Sequence, residues 1–197
     1  MPEAVENKVE FGLSNAHYAI VTVDEETNKL TFGTPEKLPG AVSLTLDASG
    51  DLVRFKADDV DYYTNPNNQG YEGNLTLALV PDKFKQEVLG EEKTEGGVMI
   101  ERADAQTKRF ALMFEFQGDK KRTRHVMYYC SANRPSVAST TKDGGEPNTT
   151  DLSIVVSPRP DTNVVKAKTT AGVTEAVYNA WYTKVYEKES ETPVQGA

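Results

Sequence analysis

Few side chains in this sequence are equipped for chemistry. His17 and His125 are its only imidazoles and Cys130 its only thiol. His125 and Cys130 stand five apart in "HVMYYC", which raises a Cys–His pair in which the imidazole takes the thiol proton. An offset of five on an unbroken strand puts two side chains on opposite faces. That spacing therefore predicts that the pair does not meet, and His17 can reach Cys130 only through tertiary contacts. Cys130 reads as a small core residue. A single cysteine also excludes an internal disulfide and fits synthesis in a reducing cytoplasm.

Metal and phosphate chemistry find no better footing. "DASGD" at 47–51 lacks the ligand pattern and closing glutamate of a calcium loop. Asp58, Asp59 and Asp61 are dense enough to attract cations weakly, but read first as a solvated loop. No His and Cys cluster has zinc spacing, and Gly96-Gly97 is not followed by the Gly-Lys-Ser/Thr of a phosphate loop. The sequence predicts no catalytic residue, no metal and no cofactor.

The net charge of −8 argues against a protein that holds nucleic acid by neutralising phosphates. It leaves room for one that lets nucleic acid pass. The single basic run, Lys120, Lys121, Arg122 and Arg124, reads as a solvated hairpin tip that resists edge pairing, or as a contact for an acidic patch on another subunit. Tyr62, Tyr63 and Tyr71 sit in "DDVDYYTNPNNQGYEG", residues 58–73. That stretch reads as a long polar loop whose rings serve an interface or fold back over the core.

The elements that must position these groups follow from hydrophobic periodicity. A chain of 197 residues fits one domain, 1–197, and 38% hydrophobic residues with a mean hydropathy of −0.56 leave a modest core among polar loops or arms. Period-two alternation predicts a strand from Val9 through Leu13, and a hairpin from Tyr18–Val23 returning through Leu30 and Phe32. A second hairpin turns at "ASGD", with Val42, Leu44, Leu46, Val53 and Phe55 facing a core and Ser43, Thr45, Asp47, Arg54 and Lys56 facing outward. "NLTLALV", "GGVMIERA", "TKRFALMFEFQ", "HVMYYCSANRP", "LSIVVSPRP" and "NVVKAKT" read as further strands, with "GDKKRTR" as a turn and 136–151 as a loop. Pro81, Phe84, Val88, Leu89 and Gly90 mark a short helix. Val173, Val177, Trp181 and Val185 have helical spacing near the end. No apolar run approaches the roughly 18 residues of a membrane helix, and the N-terminus lacks a secretory pattern. The result is a mainly β chain of roughly eight to ten strands with some α, a sandwich or barrel-like fold with one or two flanking helices.

Several stretches, taken in order, resemble a known family. "VENKVEFGLSNAHYAIVT", "GTPEKLPGAVSLTLDASGD", "LALVPDKFKQEVLG", "RFALMFEFQGDKKRTRHVMYYCSANRP", "LSIVVSPRP" and "AWYTKVY" are similar to siphophage major tail proteins, the subunits of the tail tube. The resemblance covers most of the chain. It implies a structural, non-enzymatic β-sandwich located in the virion tail, synthesised in the host cytoplasm, that assembles with itself into stacked hexameric rings. The genome would pass transiently through an acidic channel, with no membrane contact. Tape-measure, tail-tip and tail-terminator proteins are its implied partners.

By position, an N-terminal arm at 1–8 and the loop at 58–73 match the family's inter-ring ties, which makes Val5, Glu6, Tyr62, Tyr63, Asn67, Asn68 and Tyr71 contact candidates. Residues 187–197 are expected to form a flexible tail. The outward face Ser43, Thr45, Asp47, Arg54 and Lys56 is a candidate for a channel wall or subunit seam. Two other readings compete. One is a monomeric module binding a carbohydrate or peptide through Tyr62, Tyr63, Tyr71 and Trp181. The other is an enzyme using Cys130 with His17 or His125.

Overall fold

The computed structural model describes residues 6–141, 145 and 147–188; Val5 and all but Glu187 and Lys188 of the expected tail lie outside them. In chain order the strands are β1 (Glu10–Val23), β2 (Leu30–Phe32), β3 (Glu36–Lys37), β4 (Ala41–Ser49), β5 (Leu52–Ala57), β6 (Val60–Pro66) and β7 (Gly70–Leu77). After a helical segment come β8 (Glu92–Lys93), β9 (Met99–Ile100), β10 (Arg109–Gly118), β11 (Thr123–Ala132), β12 (Thr150–Val156) and β13 (Lys166–Lys168). The helices are α1 (Asp82–Phe84), running straight into a π turn at Lys85–Leu89, and α2 (Glu175–Ala180).

Nine strands form one antiparallel sheet in the order β2-β1-β10-β11-β12-β7-β4, with β3 on β1 and β13 on β11. The fold is mostly β, as expected, but the sheet does not close into a barrel. It folds over instead. Leu75 and Leu77 of β7 and Leu152, Ile154 and Val156 of β12 bury against Tyr18, Phe110, Leu112 and Phe114 of β1 and β10. The predicted helix caps this core with Phe84, Val88 and Leu89, and stops where Gly90 takes a φ of 78°. On the far side of β1, β10 and β11 a second cluster, with Val21, Met113, Val126 and Tyr128, is roofed by Trp181 and Val185. The helical spacing Val173, Val177, Trp181 and Val185 is realised only in part: α2 holds Val177, with its N–H capped by the Thr174 side chain, and has Trp181 as its C-cap, while Val173 and Val185 lie outside it.

The alternating stretch 42–57 is not a hairpin. β4 pairs with β7 and β5 pairs with β6, so "ASGD" is a break midway along one arm of a longer hairpin. The real tip is Asp58-Asp59, with φ of 51° and 60°, the left-handed pair a two-residue type I′ turn demands. The expected polar loop 58–73 is therefore mostly strand, the second arm of that hairpin. At the break, Gly50 has a φ of 123°, and a Cβ there would stand 1.8 Å from the Asn67 carbonyl oxygen. Only glycine fits so close a crossing of the two arms.

The core expected under 42–57 changes with it. Leu44 and Leu46 pack against the first cluster, but Val42 is 56%, Val53 52% and Phe55 59% exposed. β4 bulges at Val42, between the Ala41 and Ser43 pairings, which turns that side chain out. Val53 and Phe55 lie beyond the sheet altogether, on a ribbon that has no second layer.

Candidate functional site

Three surfaces are built by this topology. The first is the outer face of β4, β7 and β12. Register stacks Ser43, Thr76 and Asp151 in one row, Thr45, Asn74 and Ser153 in the next, and Asp47, Glu72 and Val155 in the third. Thr76 donates to Asp151 at 2.6 Å and Ser153 donates to Asn74 at 2.8 Å. Its side chains are mostly short, and no Lys or Arg occurs in these rows. Asp47 and Glu72 are directly opposed, a like-charge pair that weakens the ladder. Of the five residues expected to share an outward face, Ser43, Thr45 and Asp47 are here, while Arg54 and Lys56 lie on the separate β5–β6 ribbon.

The second surface is that ribbon. From Asp51 to Gln69 every residue but Ala57 is exposed, and six paired positions project about 20 Å at about 3.3 Å per residue. Val53 opposes Asn65 and Phe55 opposes Tyr63 on one side; Arg54 opposes Thr64 on the other and reaches Asp61 at 3.6 Å. Tyr62 is the extra residue of a bulge, 72% exposed. Asn67 and Asn68 shape the base, where Asn68 Oδ1 accepts from Gly70 N–H at 3.0 Å. Tyr71 parts company with Tyr62 and Tyr63: it packs against the first core cluster under Lys166, 4.5 Å from the ring centre.

The third surface surrounds the β10–β11 turn, and its chemistry is mostly internal. Glu115, in the midst of the apolar run "RFALMFEF", is 1% exposed. It accepts from Arg122 at 2.5 Å, Asn15 at 2.7 Å, Arg124 at 3.3 Å and Tyr182 at 3.4 Å. Burial alone raises its pKa; the Arg122 and Asn15 hydrogen bonds and the two arginine charges outweigh that and hold it below the ordinary value. Tyr182 is pushed far up by burial and by the Glu115 charge. Arg124 also lies 3.7 Å over the Tyr178 ring and donates to the Tyr178 carbonyl.

The expected basic tip is thus divided. Arg122 and Arg124 are committed to Glu115, whereas Lys120 and Lys121 have no ion-pair partner among the described residues. Asn7 plugs the turn, donating to Lys121 O at 2.6 Å and accepting from the Lys120 and Lys121 amides at 3.0 Å each. Glu6 is exposed beside it. Of the expected arm at 1–8, residues 6–8 are among those described, and Asn7 and the Lys8 amide are tied to this turn.

The side chains that first suggested catalysis are placed poorly for it. β11 carries a bulge, with Phe110 opposite Cys130 and Leu112 opposite Met127. Tyr128 and Tyr129 both turn toward the second cluster, which restores His125 and Cys130 to the same face. The period-two argument for opposite faces therefore fails, for want of an unbroken strand. The two are nevertheless separately engaged. Cys130 is fully buried, and burial pushes its thiol up to about 12. His125 is stacked on Phe114 at 5.1 Å, its Nε2 has no partner, and burial lowers its pKa to about 4. His17 lies on the other face, its Nδ1 2.8 Å from Asn15 O and its ring stacked on Tyr182. Trp181 is buried, donating to His125 O at 3.4 Å, so it does not join Tyr62 and Tyr63 in a binding platform.

Sequence reasoning passed over Glu115, Glu72 and Asp151. A lone acid inside an apolar run was the available signal for Glu115. Nothing short of register could align Glu72 and Asp151 with Asp47. Among the described residues no three His, Cys, Asp or Glu side chains are grouped to hold a metal, and no helix is long and apolar enough to cross a membrane.

A comparison with curated protein sequences finds no match. Among solved structures, the cap that terminates the anti-feeding prophage tube, determined by cryo-electron microscopy, is similar at 11% identity and a TM-score of 0.48, over 86% of this chain and 98% of that one. The family described as phage tail tube protein matches residues 3–192. The chain belongs to the phage tail tube protein family.

Proposed function

We propose that this subunit assembles into hexameric rings that stack into a tail tube, and that the outer face of β4, β7 and β12 lines the channel through which the genome passes. The observation that carries this reading is the chemistry of that face. Its rows hold Asp47, Glu72 and Asp151 among Ser, Thr and Asn, with Val155 at the margin and no cation. A duplex presents one negative charge about every 1.7 Å, and retention on a protein comes from Lys and Arg displacing its counterions. A wall of short neutral and anionic side chains gives no such displacement, so DNA slides past it. Keeping Asp47 against Glu72 at a cost to the ladder fits a surface selected for its field.

In this assembly Ser43, Thr45 and Asp47 face the channel, while Tyr62, Tyr63, Asn67 and Asn68 on the ribbon and Val5 and Glu6 at the N-terminus serve contacts between subunits. The tape-measure, tail-tip and tail-terminator proteins of the same tail are its further partners, and the role is structural rather than catalytic. Electron microscopy of the concentrated protein tests the reading. Rings or tubes with six-fold end views are expected, and monomers across all salt and protein concentrations would refute it. Asp47→Lys with Glu72→Lys should leave tubes intact but make them retain duplex DNA in a salt-dependent manner.

A further inference from the structure

The ribbon and the β10–β11 turn are complementary to each other. The ribbon carries six of the chain's exposed large apolar residues, Phe55 and Tyr63 among them, and ends in Asp58 and Asp59. The turn carries Lys120 and Lys121 at its apex. Beside it, at the start of β1, Val9 is 54% and Phe11 52% exposed. Lys8 adds a further cation, its amide held by Asp119 Oδ1 at 2.8 Å. A shallow cleft of about 220 Å³ opens alongside, lined by Lys121, Lys168 and Thr169 together with Glu6 and Glu10. Lys8 and Lys120 have no ion-pair partner among the described residues, and Lys121 Nζ lies 4.2 Å from the Tyr178 ring centre, so cations and exposed apolar side chains adjoin here in a chain of net charge −8.

Within one chain both surfaces are solvent-exposed, so neither satisfies the other. We infer that the ribbon of one copy docks on the β10–β11 turn of a second copy, with Asp58 and Asp59 against Lys120 and Lys121, and Phe55 and Tyr63 against Val9 and Phe11. The inference rests on the tube reading and supplies the contact that reading leaves unspecified. Because the two patches differ, the contact is heterologous; it propagates from copy to copy and closes into a ring only if the rotation allows.

The contact is made through side chains and not by adding a strand. Among the described residues the outer edge of β1 has no strand partner from Glu10 to Asn15, since β3 pairs only with His17 and Tyr18. That stretch is bulged at two places, around Gly12 and Asn15. Bulges of this kind spoil an edge as a template for pairing.

Asp59→Cys with Lys120→Cys gives the decisive test, since Cys130 is fully buried and does not compete. Under mild oxidation at polymerising concentration, disulfide-linked dimers and higher ladders are expected; the absence of linked species in intact tubes would overturn the docking. Asp58→Asn with Asp59→Asn keeps the turn, because Asn favours the same left-handed conformation. With two rim pairs lost, the concentration needed for assembly should rise about fivefold at low salt, and the difference should shrink as salt screens the contact. Wild-type tubes with unchanged assembly of this variant would reject the docking and leave the tube reading intact. A wild-type chain that never polymerises removes both.

Discussion

Glu115 ties the C-terminal segment to the sheet, and a carboxylate this deeply buried must be held by more than one group or it does not stay charged. Replacing it by Ala strands Arg124, whose side chain is 16% exposed, and removes the acceptor of Asn15 and Tyr182. Breaking a buried ion pair from one side costs about 3–5 kcal/mol. Arg122 is half exposed and regains water, and Arg124 keeps the Tyr178 carbonyl and ring. The low end therefore applies, about 3 kcal/mol. In a chain of this length each kcal/mol moves the melting temperature by about 2–4 °C, so a fall of about 6–12 °C is expected.

Urea titration followed by the fluorescence of Trp181, the only tryptophan and a buried one, reads the change directly. Arg122→Ala should cost about 1 kcal/mol or less, as its partner keeps Arg124 and Asn15. The pH dependence has a definite sign. The folded pKa of Glu115 lies below its ordinary value, so its contribution is complete above the unfolded pKa of about 4.3 and vanishes as pH falls through the folded one. The gap between wild type and Glu115→Ala should persist at pH 5 and narrow below pH 4. A gap under about 1 kcal/mol at pH 7, with an unchanged urea slope, would show that the network does not hold the C-terminal segment to the sheet.

Three further outcomes follow from other parts of the molecule. Gly118→Ala would place a Cβ 2.0 Å from Asn7 Nδ2; it should release the N-terminal segment to proteolysis while the melting temperature stays within about 2 °C of wild type, since no core residue is touched. Cys130 should react with a thiol probe only as fast as the chain opens, because burial holds the thiol up to about 12; prompt labelling of the folded protein would contradict its burial. His125 is held neutral, its pKa about 4 against about 6.5 unfolded. The unfolded chain then binds the extra proton between those values, so stability falls by up to about 3 kcal/mol as pH drops from 6.5 to 4. His125→Phe should flatten that slope in denaturation curves, and an unchanged slope would exclude His125 as its source.

The elements that owe their existence to local pattern were legible from residues alone. Pro81, Phe84, Val88 and Gly90 fix the helical segment whatever surrounds it, and Val21–Val23 with Leu30–Phe32 make a hairpin because six residues of polar turn separate two apolar runs. What sequence could not convey was which strand lies beside which. "LTLDASGDLVRF" reads as two arms around a turn because Gly50 is the obvious place to reverse direction. Gly50 in fact serves a close crossing with Asn67, and the reversal is at Asp58-Asp59, where two aspartates take the left-handed conformation that Asn-Gly usually supplies. The same blindness hid the acidic face: Asp47, Glu72 and Asp151 are far apart in the chain, and only the β4–β7–β12 register sets Asp47 against Glu72 and brings Asp151 onto the same face. A bulge at Tyr128-Tyr129 defeated the period-two argument for His125 and Cys130 in the same way, by inserting one residue that no local signal announces.

The ribbon is also where the physical account of a single chain runs short. Alternation of apolar and polar residues is the signature of a strand with one buried side, and β5 and β6 have the alternation without the burial. A two-stranded ribbon in water is marginal, and among the described residues its only ion pair is Arg54–Asp61 at 3.6 Å, both side chains at least 40% exposed. Such a pair contributes under about 1 kcal/mol. Val53, Phe55 and Tyr63 on one side should then drive aggregation unless their burial is specified elsewhere. Two features restrict that burial to a defined partner: the acidic tip, which repels other anionic surfaces of a chain at −8, and the bulge at Tyr62, which interrupts the edge. A surface that is apolar enough to need covering, and charged and bulged enough to refuse most covers, is what an obligate assembly requires of its subunits before they meet.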